Sequence, residues 1–354
     1  MLKEETSDIL FNRIPAQHGE IGLIQLNRPK ALNALSVDMI LALDHHLAQW
    51  ATDPQIVAVI ITSTFQKAFC AGGDLKFVFY NGKAQYEQAD PFFRKEYRLI
   101  KLIHAFPKPY IVLLDGITMG GGCGISLHGT RVIAGENLRL AMPETGIGFY
   151  PDVGAGHFFA RGPRKIGMYL GLTGSIINVD DAQYAKLVHN HIPSNKFSDF
   201  IHSLQAKDLR NDALKTIDAI IAEYSQPPQV GPVQKNIDIV EKCFSADSIE
   251  QILANLEHES SQWAKQQLAL LNTRSPTSLK VTFKYLTLAS QMSVDECLTL
   301  DFNLTLHLMQ KPDIYEGIRA VLIDKTNDPK WDPAKLQDVT DESVNQALEI
   351  KCQL

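Results

Sequence analysis

The chain has 354 residues, 45% apolar and 21% charged, enough to bury a sizeable core in one large or two modest domains. Its 34 basic and 40 acidic side chains leave a formal charge of −6, which gives no whole-molecule attraction to nucleic acid or to an anionic membrane. The densest apolar stretches, residues 56–61 and Tyr110–Leu114, fall far short of the roughly 18 residues that a bilayer span needs. The N-terminus is acidic and matches neither a secretory signal nor an Arg-rich mitochondrial presequence. The five cysteines, Cys70, Cys123, Cys243, Cys297 and Cys352, are odd in number, scattered and free of any C-x-x-C. That pattern predicts neither a disulfide framework nor a structural zinc site. It points to a reducing compartment, which we take as the cytoplasm.

Strand-like and helix-like segments alternate over the first two-thirds. Residues 21–27 (IGLIQLN) are apolar and strand-length, and Arg28-Pro29 ends them. Ser36 is placed to cap a helix running to about Trp50, with Val37, Ile40, Leu41, Leu47 and Trp50 on one face. Residues 56–62 (IVAVIIT) form a β-branched run of the kind a doubly covered strand shows. A helix fits residues 91–104, with Phe93, Tyr97, Ile100 and Ile103 together, and strands fit Tyr110–Leu114 and Arg131–Ala134. Alternation of this kind predicts an α/β architecture. After Phe200 the strand signal fades. Residues 224–232 (YSQPPQVGP) read as a linker or sharp turn, and residues 249–271, 277–288 and 294–308 carry helical spacing.

Two glycine clusters follow strands. One is Phe69-Cys70-Ala71-Gly72-Gly73-Asp74, and the other is Gly120-Gly121-Gly122-Cys123-Gly124. Glycines at such corners let a ligand approach the backbone, and unpaired N–H groups there suit a phosphate or a developing oxyanion. Neither cluster satisfies a dinucleotide or P-loop fingerprint. Turn glycines and close helix packing would account for either cluster alone.

FCAGGD, followed by KPYIVLLDGITMGGGCG and preceded by LNRPKALNAL, resembles the crotonase (enoyl-CoA hydratase/isomerase) superfamily. The resemblance implies an α/β spiral of ββα turns with a helical C-terminal region. It divides the chain into an acyl-CoA-binding core, residues 10–225, and a helical part, residues 226–354. It also implies that Gly73 and Gly121 donate their N–H groups to the oxygen of an acyl-CoA thioester, with Ala71 lining the substrate site.

The acids decide the reaction. Hydratases of this superfamily use a glutamate just after the glycine triplet, where this chain has Gly124, and a second about 20 residues on, where it has Glu144. A lone carboxylate is a poor match to hydration. Glu144 lies in Met142-Pro143-Glu144-Thr145, and a second acid follows in Pro151-Asp152-Val153-Gly154. This MPET and PDVG pair is similar to the 3-hydroxyisobutyryl-CoA hydrolase branch of the superfamily. So are the segments FRKEY at 93–97, SPTSLK at 275–280 and EGIRAVLIDK at 316–325. That branch implies that Glu144 attacks the thioester or activates the water that does. It implies that Asp152 orients the substrate's hydroxyl or the catalytic group, and that Glu96 binds the hydroxyacyl end. Each acid also has a bland reading: Glu144 as a helix-start charge, Asp152 as a turn residue, Glu96 as a solvated helix charge. Phe149-Tyr150, Ala155 and the basic stretch 160–165 depart from the branch's usual pattern.

The expectation is therefore a hydrolase acting on the thioester of 3-hydroxyisobutyryl-CoA, with 3-hydroxypropionyl-CoA as a second substrate, in valine breakdown. CoA enters as part of the substrate, and no metal or other cofactor is implied. No nucleic-acid or membrane partner is expected, and a homo-oligomer stays open. The rivals are an enoyl-CoA isomerase or hydratase of the same superfamily and a non-catalytic CoA-binding protein.

Overall fold

The structure is a computed structural model and describes residues 7–82 and 86–354. Residues 1–6, which carry most of the acidic start used above to argue against a leader, lie outside these. The chain forms two compact units, each entered three times. One holds the residues up to Gly73, Arg98–Leu140 and Ile177–Gly231, and the other Asp74–Tyr97, Ala141–Ile176 and Pro232–Leu354.

The described residues form nine strands: β1 (Ile9–Pro15), β2 (Glu20–Leu26), β3 (Ile56–Ser63), β4 (Ala68–Cys70), β5 (Tyr110–Leu114), β6 (Ile117–Met119), β7 (Arg131–Ala134), β8 (Arg139–Ala141) and β9 (Asn190–His191). They make a six-stranded sheet in the order β1-β2-β3-β5-β7-β9 and a three-stranded sheet in the order β4-β6-β8. β1 runs antiparallel to β2, and β2, β3, β5, β7 and β9 are parallel neighbours. Three successive passes of the chain thus lay one strand in the large sheet and the next in the small one, which is the spiral the glycine motifs implied. The β-branched runs form the interior strands, and Ile21, Ala58, Ile60, Ile111, Leu113 and Ile133 pack with Phe200, Leu204 and Ile217 as one buried cluster.

The helix Val37–Thr52 begins where Ser36 accepts from Met39 N–H, at 3.2 Å. Its buried face is centred on Met39, Ile40, Leu43, Leu47 and Trp50, while Val37 and Leu41 are only half-buried. The helix expected at 91–104 starts earlier, as Tyr86–His104, with Phe93, Tyr97, Ile100 and Ile103 buried together.

The second unit is mostly helical. The segment 249–271, expected as one helix, is two, Ile249–His258 and Gln262–Leu271. The break falls at Ser261, whose side chain accepts from Ala264 N–H as a new N-cap. A serine that caps outcompetes continuation of the apolar stripe. The helices Pro276–Ala289 and Val294–Leu308 follow. Among the described residues no helix is long and apolar enough to cross a membrane.

Candidate active site

In the first unit the two glycine corners are held against each other by the small sheet. β4 and β6 pair in parallel, Ala68 with Ile117 and Cys70 with Thr118. The opening motif buttresses the first corner. Asn33 is wholly buried, and its amide protons are shared among Ser63 Oγ, Ala68 O and Phe69 O while its Oδ1 accepts from Arg28 N–H. Leu35 N–H then donates to Gly72 O at 2.8 Å, and Ala71 N–H to Leu32 O at 3.0 Å. Ala71 therefore has only its carbonyl and methyl left for a ligand. Gly72 has φ +113°, and a Cβ there would sit 3.3 Å from Met119 O and 3.8 Å from Gly121 N. A Cβ on Gly122 would lie 2.4 Å from Cys70 O. Gly72 is thus required by its φ, and Gly122 by the close approach of the Cys70 backbone. Gly121 opens the helix Gly121–Leu127, so its N–H has no acceptor within that helix. Cys70 and Cys123 are fully buried, and their thiols lie against the carbonyls of Gly72 and Thr118.

The second unit gathers the acids. Glu96 on the helix Tyr86–His104, Glu144 at the head of the short helix Glu144–Ile147, and Asp152 in the following loop are 2%, 7% and 5% exposed. Burial of this degree is rare for carboxylates and removes the solvated-charge reading of Glu96. Asp152 does not cap the next helix. Its Oδ2 accepts from the Tyr97 hydroxyl at 2.7 Å. Glu96 Oε1 and Glu144 Oε2 have no hydrogen-bond partner among the described residues. Buried polar atoms are seldom left so.

Burial lifts all three carboxyls. Asp152 is pushed up to about 7, with Tyr97 O–H pulling the other way. Glu96 stands well above the usual range through burial and then the charge of Asp152. Glu144 does so through burial, then Asp152, then Glu96. They titrate as a set. The charge of Asp152, the one with a hydroxyl donor, adds to burial in raising the other two. Acids whose environments drive their ionisations apart are suited to divide nucleophile, base and acid roles. Among the described residues no group of three or more His, Cys, Asp or Glu is arranged to hold a metal ion.

A family model described as enoyl-CoA hydratase/isomerase matches residues 21–348. The chain belongs to the enoyl-CoA hydratase/isomerase family. This family member is 41% identical over 346 residues to a 3-hydroxyisobutyryl-CoA hydrolase, mitochondrial, of Rattus norvegicus, covering 96% of this chain and 88% of the relative. It is 43% identical over 332 residues to the protein of the same name from Xenopus tropicalis, covering 92% and 86%. Its fold is similar to the crystal structure of a carnitinyl-CoA dehydratase from Mycobacterium thermoresistibile, with a TM-score of 0.89 and 33% identity over 97% of both chains. The crotonase fold and its helical C-terminal region stand as expected. The cytoplasmic expectation is corrected, because the relatives are named mitochondrial. The cysteine pattern pointed to a reducing compartment without saying which one.

Sequence reasoning placed Tyr97 only on an apolar face and passed over Asp301 and Thr305. Both lie on the helix Val294–Leu308, on the same stripe as Val294, Cys297, Leu298 and Leu308, and both are wholly buried. The signal was present: two polar residues four apart on an otherwise apolar stripe. The basic stretch is accounted for in part by Arg164, which pairs with Asp238 and Glu241.

Proposed function

We propose that the chain hydrolyses the thioester of 3-hydroxyisobutyryl-CoA, and more slowly 3-hydroxypropionyl-CoA, to the free hydroxy acid and CoA, in the breakdown of valine. The observation that carries this reading is the buried trio Glu96, Glu144 and Asp152, with unsatisfied oxygens on Glu96 and Glu144. Two curated relatives above 40% identity, both named 3-hydroxyisobutyryl-CoA hydrolase, support it.

Glu144 attacks the thioester carbon. Its raised ionisation makes it a strong nucleophile once its proton has left. The C–S bond breaks, CoA leaves as the thiolate, and water opens the mixed anhydride to return Glu144 and release the acid. The N–H groups of Gly73 and Gly121 stabilise the charge on the thioester oxygen, where loss of one such donor elsewhere costs about 10²–10³ in rate. Asp152 accepts the substrate's 3-hydroxyl, and Glu96 holds the same end of the acyl group. A site built to bond a hydroxyl rejects analogues without it, because its buried polar atoms are left unpaired. These steps require carboxyl groups and N–H donors, and CoA arrives with the substrate, so the reading includes no resident cofactor.

Hydration is the nearest rival, and the dehydratase name of the similar structure keeps it in view. The glutamate that hydratases carry after the glycine triplet is Gly124 here, buried in the helix Gly121–Leu127. The test is thiol release from acyl-CoAs with and without a 3-hydroxyl, with crotonyl-CoA hydration followed in parallel. Glu144→Gln should abolish thiol release and leave CoA-ester binding nearly intact. Hydration of crotonyl-CoA by the wild type, or thiol release by the variant above about a tenth of the wild-type rate, would overturn the reading, given that general catalysis alone contributes about 10²–10⁴.

A further inference from the structure

The loop that carries Asp152 is strained and externally held. Val153 has φ +54°, a conformation that is uncommon for any non-glycine residue and an outlier for a β-branched one. Such a backbone persists only where its surroundings over-determine it. The surroundings are supplied by the helix Val294–Leu308. Asp301 and Thr305 sit four residues apart and so share a face. Gly154 N–H donates to Asp301 Oδ2 at 2.7 Å, and the Tyr150 hydroxyl donates to the Asp301 carbonyl at 2.9 Å. Thr305 Oγ1 lies 2.7 Å from the Tyr97 hydroxyl oxygen and 3.1 Å from that of Tyr150.

Counting protons gives these contacts a direction while Asp152 is ionised. Each hydroxyl has one proton. That of Tyr150 has a fixed acceptor in the Asp301 carbonyl, and that of Tyr97 goes to Asp152 Oδ2. Thr305 is then the remaining donor, and the nearer acceptor is Tyr97. The chain runs Thr305 to Tyr97 to Asp152. It occupies one carboxylate oxygen, Oδ2, and fixes the plane of the group.

We propose that Thr305 is a positioning residue of the site: through Tyr97 it sets the orientation of Asp152 toward the substrate hydroxyl, and so takes part in selecting 3-hydroxyacyl groups. This rests on the reading that Asp152 accepts that hydroxyl. It makes a helix of the C-terminal region part of the specificity machinery.

The test compares Thr305→Val, which keeps the shape and loses the O–H, with Thr305→Ser, which restores it. Tyr97 and Tyr150 each keep an acceptor in the valine variant, so the fold should survive, and thermal melting checks this. If the valine variant does not fold, Thr305→Ala carries the same comparison. The readout is the ratio of kcat/KM for 3-hydroxyisobutyryl-CoA to that for isobutyryl-CoA. A hydrogen bond to a charged group supports an expected fall of about tenfold in that ratio for Thr305→Val, with recovery to within about twofold in Thr305→Ser. A merely structural role would lower both substrates together and leave the ratio unmoved. An unchanged ratio in folded Thr305→Val overturns the proposal. Asp152→Asn, run alongside, separates the two levels. If it lowers the ratio while Thr305→Val does not, only the role of Thr305 fails. If it leaves the ratio unchanged, the reading of Asp152 fails and the proposal with it.

Discussion

Tyr97→Phe removes a single oxygen and should move the acid limb of the pH profile upward. In the native structure that hydroxyl donates to Asp152 Oδ2 at 2.7 Å. Donation to the carboxylate favours its charged form, so deletion favours the protonated form, and Asp152, already up at about 7, rises further. A hydrogen bond to a charged group is worth about 1.5–3 kcal/mol, and 1.36 kcal/mol corresponds to one pH unit, so the midpoint should climb by about one to two pH units. The other groups coupled to Asp152 are Glu96, Glu144, Asp301 and Tyr150. The first three carry carboxyls whose ionisation its charge helps to raise, so the limb should also broaden as the set ionises. The assay is kcat/KM for 3-hydroxyisobutyryl-CoA by thiol release from pH 5 to 9.5, with the spontaneous rate subtracted. The variant should be impaired at pH 7 and recover most of its rate near pH 9. An equal loss at every pH, with the midpoint where the wild type has it, would refute the coupling of Tyr97 to Asp152.

Asp152→Asn should stabilise the protein at alkaline pH while impairing it as an enzyme. The folded-state value of Asp152, about 7, lies above its ordinary 3.8, so between these the folded form binds more protons than the unfolded chain. The contribution is fully present below about pH 4 and is lost as pH rises through 7. Calorimetry should therefore find Asp152→Asn melting above the wild type at pH 8 but not at pH 4, and an equal difference at both would contradict this account. Gly122→Ala forces a Cβ to within 2.4 Å of Cys70 O. Urea unfolding should show a loss of about 1–3 kcal/mol, as overpacking commonly causes. Tolerance within experimental error would mean that the two glycine corners are not in close contact.

How much of this was legible without the fold can be argued from particular residues. The β-branched runs 56–62 and 110–114 announced interior strands, because a strand covered on both faces needs apolar side chains at every position. Ser36 announced a helix start through local capping chemistry. The glycine corners, MPET and PDVG were legible through their resemblance to a known family, and that resemblance implied the chemistry. Three-residue strands such as β4 and β6 were not legible. Their pairing is made with segments roughly 50 residues away, and nothing within three residues encodes it.

The sequence by itself determined the family, the glycine corners and the identity of the acids. It could not say that Glu96 is buried with an oxygen unpaired, nor that the residue after it donates to Asp152. Those facts are set by contacts between residues 55 apart for Tyr97 and Asp152, 147 apart for Gly154 and Asp301, and 208 apart for Tyr97 and Thr305. Periodicity tells which face of an element is covered, but not by which side chain. Only folding the chain brings a threonine of the last long helix against a tyrosine two hundred residues earlier. Only removal of water from around the acids raises their ionisation above the ordinary carboxylate range.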